Sequence, residues 1–264
     1  MTLVVKVGGA AGNELQPVLE ELAHRTDYVL VHGGSSEVDR LGAALGRPAQ
    51  YYTSPSGVVS RKSDPDHLEV LVLALPGAVQ TEIVARLTGL GVRAVGLSGV
   101  DGGLLTARRK EGARAVEDGR VVVLRDDRSG SIEHVRADLL RLLLDAGWVP
   151  VVGPPAVTPQ GEVVNVDADR AAAAVAGALG AETLVLLTNV PGLLRNKDDP
   201  ATRIPHVART EIESVVPLAA GRMRKKVLAA RDALEAGVGR VVIAGSSGPE
   251  PVARALRGEG TVFE

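Results

Sequence analysis

The 264-residue chain contains no cysteine, which excludes disulfide bonds and thiolate metal sites. Its 30 basic and 32 acidic residues give a net charge of -2, which argues against a nucleic-acid binder with a globally basic surface. No uninterrupted apolar run approaches the roughly 18 residues of a membrane span, and the first residues do not form a signal peptide. These absences predict a cytoplasmic protein with no membrane or nucleic-acid partner.

Lysine is also rare, because only six of the 30 basic residues are lysine. Such a bias usually reflects genome composition and indicates no particular chemistry. It makes each retained lysine more informative, since a surface cation in this chain is normally arginine. Four of the six lysines lie in the motifs described below: Lys6, Lys62, Lys225 and Lys226.

Short runs rich in Val, Leu and Ile alternate with amphipathic segments along the whole chain, which predicts an α/β protein with a largely parallel sheet between helices. Strands are predicted at 3–7, 28–32, 93–97, 104–107, 121–124, 149–152, 183–188 and 240–244. Helices are predicted at 13–25, 36–46, 66–87, 132–146, 167–179, 210–215 and 222–237.

Two glycine-rich turns follow predicted strands: KVGG at 6–9 and HGGSS at 32–36. Backbone N–H groups in such turns can face an anion, and a helix N-terminus or a nearby lysine adds positive charge. Neither turn has the spacing of a P-loop or of GxGxxG. A tight turn with a snorkelling lysine, or a serine N-cap, is the structural alternative for each.

Four further stretches carry polar groups in a suggestive order. They are the loop YYTSPSGVVSRKSD at 51–64, NVDAD at 165–169, LLTNVPGLL at 186–194 and GRMRKKV at 221–227. One of Asp167 and Asp169 is expected to cap a helix, which leaves the other free to orient a lysine or approach a metal. Cations at the start of the last helix oppose its dipole, which suggests that they serve a phosphate or an acidic partner. A solvated loop or helix end is the alternative.

Taken in order, these stretches and GLSGVDGGLLTA at 96–107 resemble the amino acid kinase superfamily, in particular the acetylglutamate kinase group. The resemblance covers nearly the whole chain. It implies a three-layer αβα sandwich around a mainly parallel sheet. It also implies an N-terminal lobe, residues 1–170, for the acyl substrate and dimerisation, and a C-terminal lobe, residues 171–264, for MgATP.

The family assigns roles to individual positions. It implies catalytic roles for Lys6, Lys226 and Asp169, in which the lysines neutralise the transferring phosphoryl group and the aspartate holds them. It implies substrate contacts by Gly33, Gly34, Ser35, Arg61 and Asn165. It implies phosphate or ATP contacts by Gly8, Gly9, Thr188, Asn189, Gly192 and Met223.

The implied chemistry agrees with what the chain contains. Phosphoryl transfer depends on positioning and charge neutralisation, and a carboxylate acceptor is already ionised at pH 7. No His or Cys constellation is therefore required. The implied cofactors are ATP and Mg²⁺, the ion being held mainly by the nucleotide phosphates, with no protein metal site.

Two departures indicate a branch of the group. Ser35 stands where acetylglutamate kinases usually have a third glycine, and Arg61 lies in a TSPSG…SR stretch. Both are similar to kinases that phosphorylate α-aminoadipate carried on LysW, a small acidic protein of lysine biosynthesis. Carrier-bound glutamate is a second substrate open to that branch, and N-acetylglutamate, for arginine synthesis, is the alternative. The expected carrier contacts are Lys62, Arg222, Arg224 and Lys225.

The chain has no helix before its first predicted strand. Family members that form arginine-inhibited hexamers carry such an extension. The resemblance therefore implies a homodimer without feedback by arginine.

Overall fold

The computed structural model describes residues 2–55, 59–117 and 119–264. Its strands are β1 (Leu3–Val7), β2 (Tyr28–His32), β3 (Tyr51–Thr53), β4 (Val59–Arg61), β5 (Ala94–Ser98), β6 (Leu105–Arg109), β7 (Ala113–Glu117), β8 (Arg120–Leu124), β9 (Gly130–Val135), β10 (Val149–Gly153), β11 (Ala156–Val157), β12 (Val163–Val164), β13 (Thr183–Thr188), β14 (His206–Val207), β15 (Arg240–Gly245) and β16 (Thr261–Phe263). Its α-helices are α1 (Gln16–Leu22), α2 (Ser35–Ala44), α3 (Pro65–Val72), α4 (Thr81–Gly89), α5 (Ala137–Asp145), α6 (Ala168–Leu179), α7 (Ile212–Val215), α8 (Gly221–Glu235) and α9 (Pro251–Leu256).

Eight strands form the main sheet, in the order β14-β16-β15-β13-β1-β2-β10-β5. Adjacent strands from β15 to β5 pair in parallel, whereas β16 pairs antiparallel with β15. The carboxyl ends of β1, β2 and β13 therefore open at one edge in the middle of the sheet, where open α/β sheets bind their ligands.

Helices cover both faces of this sheet. Alternate residues of the central strands point to opposite faces, and the buried side chains accordingly divide into two apolar clusters. One contains Val4 of β1 with residues of α5, α6 and α8. The other contains Val5 of β1 with residues of α1, α4 and α9. The predicted three-layer αβα sandwich with a mainly parallel sheet is confirmed.

One long apolar helix runs from α3 to α4 and includes a π-helical segment at Leu73–Gln80, around Pro76. By length and composition, Pro65–Gly89 is the one helix within the described residues that could cross a membrane. Its buried apolar side chains pack on the protein itself, with Val70, Ala74 and Leu75 in one cluster and Ile83 against the main sheet. Packing therefore accounts for the buried part of its apolar composition, whereas Val72 and Leu73 stay exposed.

Several predicted elements differ from the observed ones. The predicted helix at 132–146 is wrong at its start, because Gly130–Val135 is a strand paired with β6 and the helix begins at Ala137. The segments at 105–109 and 120–124 are strands, but they lie in a small mixed sheet and in a separate hairpin. The predicted division into lobes at residue 170 stays a prediction; residue 170 lies within α6, and β1 of the first lobe pairs with β13 of the second.

Candidate active site

The turns after β1 and β2 meet at the carboxyl edge of the main sheet. The N–H of Ser36 and the hydroxyl of Ser35 both donate to the carbonyl oxygen of Gly9, at 2.9 and 3.2 Å. A Cβ added to Gly9 would overlap the backbone nitrogen of Gly34. Glycine is required at position 9 because the two turns touch through their backbones.

We expect Gly9→Ala to lower the free energy of unfolding by about 2–3 kcal/mol, because no rotamer change can relieve an overlap with backbone. Urea denaturation followed by circular dichroism would measure the change. Gly89→Ala is the matched control, since an added Cβ there meets nothing within 4 Å. It should be neutral or stabilise the helix by up to about 1 kcal/mol. Equal stability of the two variants would contradict the close approach of the turns.

Lys6 lies inside β1, on the sheet face covered by α6 and α8. Alternation along the strand places it on the same face as Val4, whose neighbours come from those two helices. The residue is 4% exposed. Its ammonium group therefore needs a buried partner, and the covering helices supply it.

That partner is Asp169, in the first turn of α6, which also contacts Lys226 of α8. The Nζ of Lys6 lies 2.6 Å from Oδ1 of Asp169, and the Nζ of Lys226 lies 2.9 Å from Oδ2. Asp169 and Lys226 are 5% and 6% exposed. These three residues form what we call the Lys6–Asp169–Lys226 cluster.

The two aspartates of NVDAD have different positions. Asp167 is the N-cap of α6, and its Oδ1 accepts hydrogen bonds from the N–H groups of Asp169 at 2.9 Å and Arg170 at 3.2 Å. Its other oxygen lies 3.4 Å from Nζ of Lys225. Because Asp167 caps the helix, the side chain of Asp169 is left to turn toward the two buried lysines.

The electrostatics of the cluster favour an anion. Burial opposes ionisation of Asp169, but the two ammonium groups outweigh it and lower its pKa from 3.8 to about 2. Burial, and then the charge of Lys6, lowers the pKa of Lys226 below its usual 10.5. With both lysines protonated, one carboxylate faces two cations, which leaves one buried positive charge unbalanced within the cluster. A phosphoryl group is the kind of ligand that such a site attracts.

Backbone donors lie beside this charge. Within the described residues, no protein acceptor bonds the N–H groups of Gly9 and Gly34. A Cβ on Gly33 would lie 3.9 Å from Nζ of Lys6, so the second turn is close to the cluster. The N-terminus of the ten-residue helix α2 opens at Gly34 and adds its positive end.

The expected substrate residues lie in and beside the β3–β4 hairpin. Arg61 donates to Oδ1 of Asp39 at 2.6 Å and to the hydroxyl of Tyr51 at 3.3 Å. The amide of Asn165 donates to the hydroxyl of Ser63 at 2.8 Å, which ties the end of the hairpin to the loop before α6. Residues 56–58 of the TSPSG…SR stretch are outside the described residues.

The expected nucleotide residues follow β13 or lie on α8. Thr188 is the buried last residue of β13, and the amide of Asn189 donates to the carbonyl of Ala11 in the first turn, at 3.2 Å. Gly192 has a φ of 151°, and a Cβ there would lie 2.6 Å from Oγ1 of Thr261, so packing alone requires glycine. Met223, in the first turn of α8, packs against the apolar core.

The expected carrier contacts are cations on both sides of the loop before α6. Lys62 follows β4 and lies 3.4 Å from Asp64. Lys225 pairs with Asp167, while Arg222 and Arg224 are exposed and have no acidic partner in the part of the chain that the structure describes. The stretch 165–167 connects the two groups, because Asn165 bonds Ser63 and Asp167 contacts Lys225.

Sequence reasoning missed three residues at this edge. Ser246, just after β15, is fully buried and accepts a hydrogen bond from the N–H of Glu14 at 3.1 Å. Asp39 accepts a hydrogen bond from the guanidinium group of Arg61. Gln80, on the long helix, contacts the imidazole ring of His32. A polar residue directly after a buried strand is a signal that could have found Ser246. No local pattern indicates the other two contacts.

Within the described residues, no group of three or more His, Asp or Glu side chains could hold a metal ion. Asp169 is the acidic residue of the Lys6–Asp169–Lys226 cluster, and both of its oxygens already accept hydrogen bonds from lysine. Its donor set therefore fits a lysine-positioning group better than a metal ligand.

Comparison with protein families and known proteins finds consistent relatives. Residues 1–245 match the model of the Amino acid kinase family. A LysW-aminoadipate kinase of Deinococcus radiodurans is 47% identical, over 98% of this chain and 90% of its own length. The enzyme of the same name from Thermus thermophilus is 44% identical, over 98% and 99%. An acetylglutamate kinase of Methanopyrus kandleri is 40% identical, over 98% of both chains.

Solved structures share the fold. The carbamate kinase of Giardia lamblia bound to AMP-PNP superposes with a TM-score of 0.70 at 16% identity, over 99% of this chain and 97% of its own. At that identity the likeness concerns the fold alone.

Proposed function

This chain belongs to the amino acid kinase family, and on that basis we propose that it phosphorylates the side-chain carboxylate of LysW-bound α-aminoadipate with ATP. The product is an acyl phosphate in lysine biosynthesis. The Lys6–Asp169–Lys226 cluster carries the proposal, because it leaves a buried positive charge beside free backbone donors. The names of the two LysW-aminoadipate kinases support the substrate.

In the proposed reaction the carboxylate oxygen of aminoadipate attacks the γ-phosphorus of ATP, and the bond to the β,γ-bridging oxygen breaks, releasing ADP. Lys6 approaches the phosphoryl group from the β1 side and Lys226 from α8. Asp169 keeps both ammonium groups in place. Charge accumulates on the transferring oxygens, and two preorganised cations stabilise it more than they stabilise the reactants. The ionised acceptor needs no general base.

The substrate and the nucleotide occupy opposite sides of this cluster in our proposal. Residues 1–170 hold the acyl substrate, with Arg61 on its α-carboxylate, Asn165 on its nitrogen substituent, and Gly33, Gly34 and Ser35 beside the reacting carboxylate. Residues 171–264 hold ATP, with Thr188, Asn189, Gly192 and Met223 on the nucleotide and Gly8 and Gly9 at the phosphates. Mg²⁺ would neutralise phosphate charge and be held mainly by the phosphates themselves.

An acyl-phosphate assay with hydroxylamine trapping tests the proposal. It compares three acceptors: aminoadipate attached to LysW, glutamate attached to LysW, and free N-acetylglutamate. We expect the highest kcat/KM with carrier-bound aminoadipate. The 40% identical acetylglutamate kinase makes the free acetylated substrate the second candidate. A preference for N-acetylglutamate would reject the carrier-dependent assignment and leave the kinase assignment in place.

For the carrier, we propose that Arg222, Arg224, Lys225 and Lys62 form a basic rim that attracts the acidic LysW. Rim charges mainly raise the association rate. Arg224→Glu should therefore lower kcat/KM for the carrier-bound substrate about tenfold at low salt, with a much smaller effect on a free acetylated analogue. Arg257→Glu is the matched control, because Arg257 is an exposed arginine directly after α9 and is not part of the proposed rim. An equal fall in kcat/KM for both substrates would indicate that Arg224 contacts the ATP phosphates instead of the carrier.

We further propose that the chain forms a homodimer through the long helix. Residues 70–81 contain no charged side chain, and Val72 and Leu73 of this stretch are 39% and 48% exposed. They line a groove of about 350 Å³ together with Pro65, Leu68 and two charged residues, Glu69 and Arg128. A two-fold interface brings a patch against its own copy, so the uncharged stretch 70–81 is self-complementary.

Light scattering during size exclusion should give twice the chain mass of 27.3 kDa. Leu73→Glu should shift the protein to monomer, because each interface would bury two facing carboxylates. Leu142→Glu, at a residue 66% exposed elsewhere, should remain a dimer. A wild-type monomer or hexamer would rule out this assembly.

A further inference from the structure

His32, the first residue of the HGGSS turn, is buried and engaged through both ring nitrogens. It is 1% exposed. Its Nδ1 lies 3.2 Å from the carbonyl oxygen of Gly33, and its Nε2 lies 3.2 Å from the side-chain amide of Gln80. A Cβ on Gly153 of β10 would overlap the imidazole, so glycine there makes room for the ring.

Gln80 is the last residue of the π-helical segment and is 8% exposed. Only one orientation of its side-chain amide makes hydrogen bonds with both the backbone of Leu97 and the ring of His32. In that orientation the oxygen accepts from the N–H of Leu97 at 3.1 Å, and the nitrogen donates to the Leu97 carbonyl at 3.1 Å and to Nε2 of His32 at 3.2 Å. The backbone of Leu97 bonds both the oxygen and the nitrogen of this amide, and its N–H fixes the position of the oxygen. Gln80 therefore offers His32 only an N–H donor.

A donor on Nε2 determines which nitrogen of His32 carries the proton. The neutral imidazole must then be protonated at Nδ1, and that N–H donates to the Gly33 carbonyl. Burial lowers the pKa of His32, which supports the neutral form.

The held carbonyl belongs to the peptide that joins Gly33 to Gly34. In a trans peptide the C=O and the following N–H point in opposite directions. Fixing the Gly33 oxygen toward His32 therefore turns the Gly34 N–H away from it. That N–H has no protein acceptor within the described residues, and it lies where the first glycine turn approaches.

We propose that His32 and Gln80 are positioning residues for phosphoryl transfer. Gln80 fixes His32 as the Nδ1–H tautomer, and His32 holds the Gly33–Gly34 peptide so that its N–H faces the transferring group. This inference rests on the proposed kinase function. Glycine has broad backbone freedom, so this peptide would otherwise sample other orientations. Neither residue contacts the substrate in this proposal.

Two substitutions of His32 separate the two nitrogens. The amide nitrogen of His32→Asn can occupy the position of Nδ1 and keep the donor to Gly33. The amide of His32→Gln reaches the position of Nε2 and loses that donor. We expect kcat/KM within about threefold of wild type for Asn and about a hundredfold lower for Gln. Urea denaturation of both separates this effect from stability. Equal kcat/KM values, or the reverse order, would overturn the proposal.

Nitrogen-15 NMR of the imidazole tests the tautomer in the free protein, with His32 assigned by its loss in His32→Asn. We expect Nδ1–H in wild type, a mixture of tautomers in Gln80→Met and about a tenfold lower kcat/KM for that variant. Gln160→Met, in an exposed turn, should change neither readout. An Nε2–H tautomer in wild type, or a Gln80→Met variant that changes only stability, would overturn the proposal. The NMR result needs no substrate, so it stands apart from any failure of the assigned reaction.

Discussion

Lys226→Met is expected to lower kcat about a thousandfold while changing KM for the acyl substrate much less. Methionine keeps the length of the side chain but removes the charge that would face the transferring phosphoryl group. That charge acts on a group whose negative charge is redistributed only in the transition state, so its loss appears in kcat. Steady-state kinetics with saturating ATP would measure it. Lys6→Met should behave in the same way, because its ammonium group contacts the same carboxylate.

The control for both variants is Lys110→Met, an exposed lysine that lies outside every proposed contact. It should keep wild-type kinetics. Near-normal turnover in Lys6→Met or Lys226→Met would remove that lysine from the proposed mechanism. A loss confined to KM would assign it to substrate binding instead.

Asp169→Asn has the second large expected effect, on stability as well as on turnover. The substitution leaves two buried ammonium groups near each other without their shared carboxylate, and breaking a buried ion pair costs about 3–5 kcal/mol. The lysines would also lose their fixed positions, so kcat should fall with stability. Urea denaturation at pH 7 would measure the stability change.

The measurement is made at pH 7 because the lowered pKa of Asp169 makes the effect of the substitution depend on pH. A carboxyl whose pKa falls from 3.8 to about 2 on folding stabilises the protein fully above pH 3.8, and this stabilisation is lost as the pH falls through about 2. At pH 7 the wild-type carboxylate is therefore fully ionised. The difference between wild type and Asp169→Asn should narrow in strong acid.

Two controls isolate the charge effect. Asp167→Asn should change stability by less than about 0.5 kcal/mol, because asparagine caps a helix as well as aspartate does. The double variant Lys6→Met with Asp169→Asn should be more stable than Asp169→Asn alone, since it removes the repulsion between the lysines. If the double variant loses as much free energy of unfolding as the two single variants together, repulsion between the lysines is not the cause of the instability of Asp169→Asn.

Local patterns along the chain predicted the fold class and most of the element positions. Apolar runs predicted β1, β2 and β13 at their observed bounds, because strands buried on both faces consist of nearly uninterrupted apolar residues. The same reasoning failed where the signal was mixed. In Gly130–Val135 the exposed Glu133 and His134 interrupt the apolar run, and residues 132–135 were assigned to the helix that in fact starts at Ala137.

The sequence could indicate single residues of the candidate site but not how they are arranged relative to one another. The sequence marked Lys6 as a charge within a buried strand, and it marked Asp167 and Asp169 as candidates for a helix cap. It could not decide which aspartate caps the helix, since both are near its start and both could accept the same N–H groups. The structure decides it through the position of α6 over β1, which places Asp169 within 2.6 Å of Lys6.

The sequence by itself determined the two glycine turns, the alternation that puts Lys6 on one face of β1, and the apolar helix. These depend on neighbours a few residues apart. Only the tertiary structure brought Lys6, Asp169 and Lys226 together, paired Arg61 with Asp39, and placed Gln80 against His32. Those contacts join residues 22 to 163 positions apart, and they depend on strand order and helix packing, which no local pattern encodes.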